Sequence, residues 1–204
     1  MPHLIKHPLA LHVITRLREK TTKPAEFRSL CHHLSMLLAL EATRDLAMRE
    51  VAVNTPLEAC IGHELARPLV VVPILRAGLG MVEPIVAMFP DVSVGYIGLE
   101  RDHETAMARN YYCKMPPLAG TRVMVVDPML ATGGSAVQAI DVVKQKGGGE
   151  ICMLNVVAAP EGVKAIEDAH PDVPIYTCAL DRALNDKKYI LPGLGDFGDR
   201  LYGT

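Results

Sequence analysis

The stretch Val125-Val-Asp-Pro-Met-Leu-Ala-Thr-Gly-Gly-Ser135 decides the reading of this chain. An apolar run beginning at Arg122 ends in an acid, Asp127, and a loop of small residues then leads into a helical pattern from Ser135 to Lys146. That helix is expected to stop at Gly147-Gly-Gly149. Backbone N–H groups of Ala131–Ser135, with the hydroxyls of Thr132 and Ser135, are suited to wrap a phosphate at a helix N-terminus. Gly133 and Gly134 permit close backbone approach, and Asp127 is placed to accept hydrogen bonds from sugar hydroxyls. The loop is not a Walker A sequence, because the lysine of GxxxxGK[ST] is missing.

Outward from this loop, further strands and helices alternate. Leu69-Val-Val-Val72 is a continuous apolar run, as expected of a strand buried on both faces of a parallel sheet. It leads into the turn Arg76-Ala-Gly-Leu-Gly80 and a helical stretch to Met88. Ser93–Leu99, Ile151–Val157 and Val173–Cys178 read as further strands, with a short helix near Glu161–Ala169. The N-terminal residues 8–20 read as a strand or arm. A helix is expected from Pro24, with Thr22 as its N-cap, running to about Glu50. This alternation predicts an α/β fold with a mainly parallel central sheet flanked by helices. Ligands in such folds sit at the carboxyl ends of strands, here Arg76–Gly80 and Asp127–Ser135.

Composition narrows the function classes. The 204 residues are 50% hydrophobic and 22% charged, which excludes intrinsic disorder. Length is that of one domain, 1–204, divided into an arm and helix (1–50), an α/β core (68–180) and a C-terminal segment (181–204). A formal charge of −2 removes a basic nucleic-acid footprint, and 4% aromatics argue against a base-stacking binder. No stretch reaches the ~18 apolar residues of a membrane span, and the first residues lack the pattern of a signal peptide. Five widely spaced cysteines without a CxxC suit a reducing compartment, so a cytoplasmic location is expected.

Several motifs compete with this reading and lose. Gly193-Leu-Gly-Asp-Phe-Gly198 matches G-x-G-x-x-G, but too little chain follows it for a dinucleotide fold. Gly62-His63-Glu64 lacks the second histidine of a zincin, and His32 and His33 lie about 100° apart on a helix. The ten methionines read as core filler. Cys113 has no neighbouring base to make it a nucleophile.

The Asp127–Ser135 element resembles the phosphoribosyl pyrophosphate (PRPP) loop of type I phosphoribosyltransferases. Its form Asp-Pro-Met-Leu-Ala-Thr-Gly-Gly-Ser resembles that of the uracil phosphoribosyltransferase branch. Val72-Pro-Ile-Leu-Arg-Ala-Gly-Leu-Gly80 is similar to that family's pyrophosphate loop. Gly98-Leu-Glu-Arg-Asp102 with Tyr111-Tyr-Cys-Lys-Met-Pro116 resembles its flexible catalytic loop. Tyr189–Thr204 resembles its uracil-binding segment.

The resemblance implies a type I phosphoribosyltransferase-like fold with a small hood from the terminal segments, and formation of UMP and diphosphate from uracil and PRPP. It implies that Arg76 and Arg101 hold the pyrophosphate and that Asp127 binds the ribose hydroxyls. Pro128, Met129, Leu130, Ala131, Thr132, Gly133, Gly134 and Ser135 would hold the 5′-phosphate. Ile190, Gly195, Asp196 and Phe197 would read uracil through the backbone, with Asp196 also touching PRPP and a candidate for the general base. The metal would be Mg²⁺ carried by PRPP, with no protein ligand set of its own. GTP activation and a homodimer or homotetramer are further implications, with neither nucleic acid nor membrane as partner.

One position departs from the pattern. Phe197 stands where the family has Ala in Gly-Asp-Ala-Gly-Asp-Arg. A backbone contact leaves its ring free to point elsewhere, whereas a ring in the pocket would alter base preference. Alternatives kept open are transfer to another base, an RNA-binding regulator on the same fold, and a sensor without catalysis.

Overall fold

The computed structural model describes residues 1–101 and 108–204, with side chains at 1–99 and 111–204. In chain order the elements begin β1 (His3–Leu4), α1 (Pro8–Arg18), α2 (Pro24–Ala42), β2 (Met48–Asn54), β3 (Ala59–Leu65) and β4 (Leu69–Leu75). A 3-10 turn over Ala77–Met81 precedes α3 (Val82–Met88), β5 (Ser93–Val94), β6 (Tyr96–Arg101) and β7 (Ala108–Lys114). Then come β8 (Arg122–Val126), β9 (Met129–Leu130), α4 (Gly134–Gln145), β10 (Glu150–Ala158) and α5 (Pro160–Ala169). The chain closes with β11 (Ile175–Leu180), β12 (Ala183–Leu184), β13 (Ile190–Leu191) and α6 (Phe197–Tyr202).

The main sheet has the order β1-β11-β10-β8-β4-β6-β7, with β5 beside β4 and β9 beside β10. All of its pairings are parallel except β6 with β7. The expected strand over Ser93–Leu99 is split at Gly95, whose N–H donates to Val71 O at 2.9 Å. Alternate residues of the central strands feed two cores, as the two-residue repeat of a strand requires. Val71, Met124 and Val126 face a layer that also contains buried residues of α1, α2, α3 and α6. Val70, Val72, Val123 and Val125 face α4 and α5. The expected α/β architecture is therefore present.

Two expectations fail at the N-terminus. Residues 8–20 form a helix, not a strand or arm: Pro8 opens α1 and the His7 side chain caps it, accepting from Leu9 N–H. Ala10, Val13, Ile14 and Leu17 are its buried stripe, and His12, Thr15 and Arg16 lie outside it with the exposed Leu9 and Leu11. The helix from Pro24 stops at Ala42, eight residues before Glu50: Thr43 is its C-cap, with Oγ1 donating to Ala39 O at 2.7 Å, and β2 begins at Met48. Nor is Thr22 its N-cap: Lys23 takes that place without a side-chain bond, and Thr22 Oγ1 donates to Arg16 O at 2.7 Å. The hairpin β2–β3 was not foreseen. Among the described residues its strands pair only with each other.

Candidate active site at the carboxyl edge of the sheet

Because the central strands are parallel, the ends of β4, β6, β8 and β10 meet along one edge. Asp127 follows β8 directly and its N–H donates to Leu154 O at 3.2 Å. Its carboxyl keeps a partly open face but sits among buried neighbours. Burial pushes it up to about 7, against the downward pull of the Met129 backbone N–H that it accepts. Asn155, fully buried in the apolar strand β10, donates from Nδ2 to Asp127 O at 2.6 Å.

The loop after Asp127 closes around a depression of about 70 Å³, lined by Asp127, Met129–Gly133, Ser135 and Ala136. Pro128 and Leu130 form its frame. Pro128 O accepts from Val156 and Val157 N–H, and Leu130 O accepts from Ala159 N–H. Gly133 caps α4 in the left-handed region, at φ +83°. An added Cβ there would lie 2.7 Å from Ala165 Cβ and 2.9 Å from Gly162 O, so α5 packs hard beneath the loop. The first-turn N–H groups of Gly134, Ser135 and Ala136 have no acceptor within the helix by its geometry, and they face a site suited to an anion.

The Arg76 turn is joined to this site through Gly78. A Cβ at Gly78 would meet Val126 O at 2.6 Å, one residue before Asp127. The Leu75–Arg76 peptide is cis, and the Arg76 side chain is exposed. Arg76 O accepts from Tyr202 Oη at 3.3 Å, which ties α6 to the turn. Arg101 ends β6 at the same edge; its side chain lies outside the described residues. The segment resembling a catalytic loop, 100–116, coincides with the β6–β7 hairpin, and its residues 102–107 lie outside the described residues.

The C-terminal segment folds by its own glycines. Ile190 is buried and pairs with Leu184. After the cis Leu191–Pro192 bond, Gly193 and Gly195 take φ of +57° and +85°. Gly195 and Asp196 are exposed and line a cleft of about 490 Å³ with Arg18 and Arg200. Asp196 caps α6, its Oδ1 accepting from Asp199 N–H at 2.9 Å. Phe197 is only 2% exposed; its ring stands edge-on to Phe27 of α2, with centroids 4.9 Å apart. Of the two orientations open from the sequence, the ring takes the one away from the cleft.

Asp127 and Met129–Ser135 thus share one wall, with the Arg76 turn packed beside it, while Phe197 leaves the surface for the core. Asn155, Gly162, Arg18 and Tyr202 escaped the sequence reading. Only Asn155 carried a signal, as the single amide in the apolar run Ile151–Val157. A cavity of about 670 Å³ between the base of the β2–β3 hairpin and Met88–Val92 opens beside Leu69, where β4 begins, at the opposite end of that strand. Cys31, Cys152 and Cys178 form no disulfide. Burial pushes their thiols up to about 12, 11 and 12, so they are protonated packing groups at neutral pH.

Fold and site together define a phosphoribosyltransferase architecture. A hypoxanthine-guanine phosphoribosyltransferase from Bacillus anthracis superposes with a TM-score of 0.54, covering 78% of this chain and 79% of its own; at 15% identity it speaks for the fold alone. The AQ2163 protein of Aquifex aeolicus is much nearer, with a TM-score of 0.95, 37% identity, and 100% and 99% of the two chains covered. The chain belongs to the uracil phosphoribosyltransferase family, whose model matches residues 4–204. Uracil phosphoribosyltransferases of Symbiobacterium thermophilum (98% of this chain, 97% of the relative) and Fervidobacterium nodosum (100% of both) are each 52% identical to it.

Proposed function

We propose that the chain transfers the phosphoribosyl group of PRPP to N1 of uracil, forming UMP and diphosphate in pyrimidine salvage. The observation that carries this reading is Asp127 at the end of β8, sharing one depression with the N-terminal turn of α4 in a chain of this family. In the reaction the C1′–oxygen bond to diphosphate breaks and the C1′–N1 bond forms. Positive charge grows on the ribose and negative charge on the leaving group. Asp127 accepts hydrogen bonds from the ribose hydroxyls, and Met129–Ser135 hold the 5′-phosphate. Arg76 and Arg101 supply always-charged guanidinium groups to the diphosphate. Ile190 and the Gly195–Phe197 backbone read the uracil edge, a mode that does not need the Phe197 ring. Asp196 is assigned the N1 proton; with Oδ1 engaged as a helix cap, the receiving atom is Oδ2.

Among the described residues no three His, Cys, Asp or Glu side chains converge on a metal position. Asp127, which lines the depression, is the acid that would lend an oxygen to Mg²⁺ carried by PRPP. Bound there, the cation would neutralise charge on the departing diphosphate. None of the described helices is long and apolar enough to cross a membrane, and with five free cysteines we place the enzyme in the cytoplasm, acting as one domain.

A homo-oligomer is part of the same proposal, with the β2–β3 hairpin as its contact. Met48, Ala52, Ile61 and Leu65 share one face of the hairpin, and Met48 and Ile61 are 51% and 61% exposed. A lone two-stranded hairpin is marginal in water, and a second copy covering this face would hold it.

The test is a chromatographic assay of the purified chain with Mg²⁺ and PRPP. Uracil, cytosine, hypoxanthine and adenine are offered separately, with and without GTP. UMP from uracil alone is the expected result, formed faster when GTP is present. Product from another base, or PRPP binding with no product, would overturn the assignment.

A further inference from the structure

The last turn of α1 reaches the segment that carries Gly195 and Asp196. Arg18 places Nη1 2.8 Å from Asp181 Oδ2 and Nη2 2.6 Å from Oδ1. The same Nη1 donates to Gly193 O at 2.7 Å. Asp181 Oδ2 in turn accepts Gly193 N–H at 2.8 Å. One ion pair therefore holds both polar backbone groups of Gly193. The Asp181 side chain is 6% exposed, and its N–H donates to Ala158 O at the carboxyl end of β10, which fixes the acid to the sheet. Next along the chain, Leu194 O accepts from Arg200 Nη1 at 2.8 Å, while Nη2 donates to Glu19 O at 2.6 Å. The Arg200 guanidinium lies 4.5 Å over the Phe27 ring. Residues 18 and 19 thus anchor residues 193 and 194.

Gly193 needs such a tether. At φ +57°, with an added Cβ only 2.1 Å from Ile190 O, no side chain can stiffen the turn from within. A segment that reads a base with main-chain N–H and C=O groups discriminates only if those groups stand still, since each misplaced group leaves a buried donor or acceptor unmade. A bidentate guanidinium–carboxylate pair, shielded on the acid side, gives a fixed geometry that an exposed pair would not.

We infer that Arg18 and Asp181 are positioning residues for the base site, setting uracil affinity through their hold on Gly193. The inference rests on reading 190–197 as the base-binding segment. Three variants test it: Arg18→Ala, Arg18→Lys and Asp181→Asn. Arg16→Ala is the control, since Arg16 pairs with Glu26 on the exposed side of the same helix. Steady-state kinetics yields KM for uracil and kcat, calorimetry yields Kd for PRPP without base, and hydrogen exchange follows the Gly193 amide.

In Arg18→Ala, KM for uracil rises about tenfold or more, Kd for PRPP stays within about twofold, and the Gly193 amide exchanges faster. Arg18→Lys falls between this variant and the parent, because an ammonium cannot span both acceptors. Arg16→Ala matches the parent. If Arg18→Ala does not fold, Arg18→Lys and Asp181→Asn carry the same comparison. An unchanged uracil KM with unchanged Gly193 exchange would overturn the inference, as would uracil and PRPP affinities falling in parallel. A parent protein that binds PRPP but does not use uracil would instead overturn the base-site reading itself.

Discussion

Asp127 shows how much one carboxyl does in this molecule. Burial lifts it to about 7, whereas an unfolded chain leaves an aspartate near 3.9. A carboxyl raised on folding stabilises the fold fully below the unfolded value, and that contribution is lost as pH rises toward the folded value. Ligand-free protein therefore loses stability between about pH 4 and pH 7. Asp127→Asn keeps an acceptor for the Met129 N–H and removes the charge. Its melting temperature should exceed the parent's at pH 8 by several degrees, on the order of 2 kcal/mol, and match it at pH 4. Under the proposed assignment activity should fall at least about 100-fold, because an amide would replace the anion assigned to the ribose hydroxyls. Thermal melts at the two pH values and the UMP assay check both halves. Phe197 teaches the opposite lesson. Its letter departs from the pattern of the proposed base-binding segment, yet its ring completes a core contact with Phe27. A position's neighbours in space, absent from the string, decide whether a substitution is functional.

Among elements, α5 does more than cover the sheet. A Cβ at Gly162 would lie 2.6 Å from Ala131 O and 2.9 Å from Leu130 O, both backbone atoms of the phosphate-suited loop. Alanine is the better helix former by about 1 kcal/mol, so propensity alone predicts that Gly162→Ala stabilises. The contact reverses the sign: the loop must move, and a lower melting temperature with about a tenfold higher KM for PRPP is expected. Circular dichroism melts and substrate kinetics measure the pair of effects. The long apolar strands and the α4 entry were legible in sequence because their periodicity is local. α1 was not, since the exposed Leu9 and Leu11 lie outside its buried stripe and blur the helical period of its apolar residues. The β2–β3 hairpin was passed over for a related reason: nearly all its residues are exposed, so no hydrophobic alternation marked it.

At the scale of the whole molecule, the two ends of the chain share one core, in which Leu17, Phe27, Phe197 and Leu201 are buried together. The hairpin is the part this core does not hold. Replacing Ile61 with Glu places a further charge on the face that carries Met48, Ala52 and Leu65 beside Glu50 and His63, where a second copy would have to desolvate it. Sedimentation velocity should show an oligomer for the parent and a monomer for Ile61→Glu; unchanged sedimentation would remove the hairpin from the contact. By itself the sequence determined the α/β class, the strand that ends in Asp127 and the glycine turn into α4. Each rests on contiguous residues whose spacing and backbone preferences act locally. Only the tertiary structure decided where Phe197 points, which residues hold Gly193, and how α5 presses on the loop before α4. Those contacts join positions as far apart as Arg18 and Asp181, and such pairings arise from packing the whole chain around one sheet.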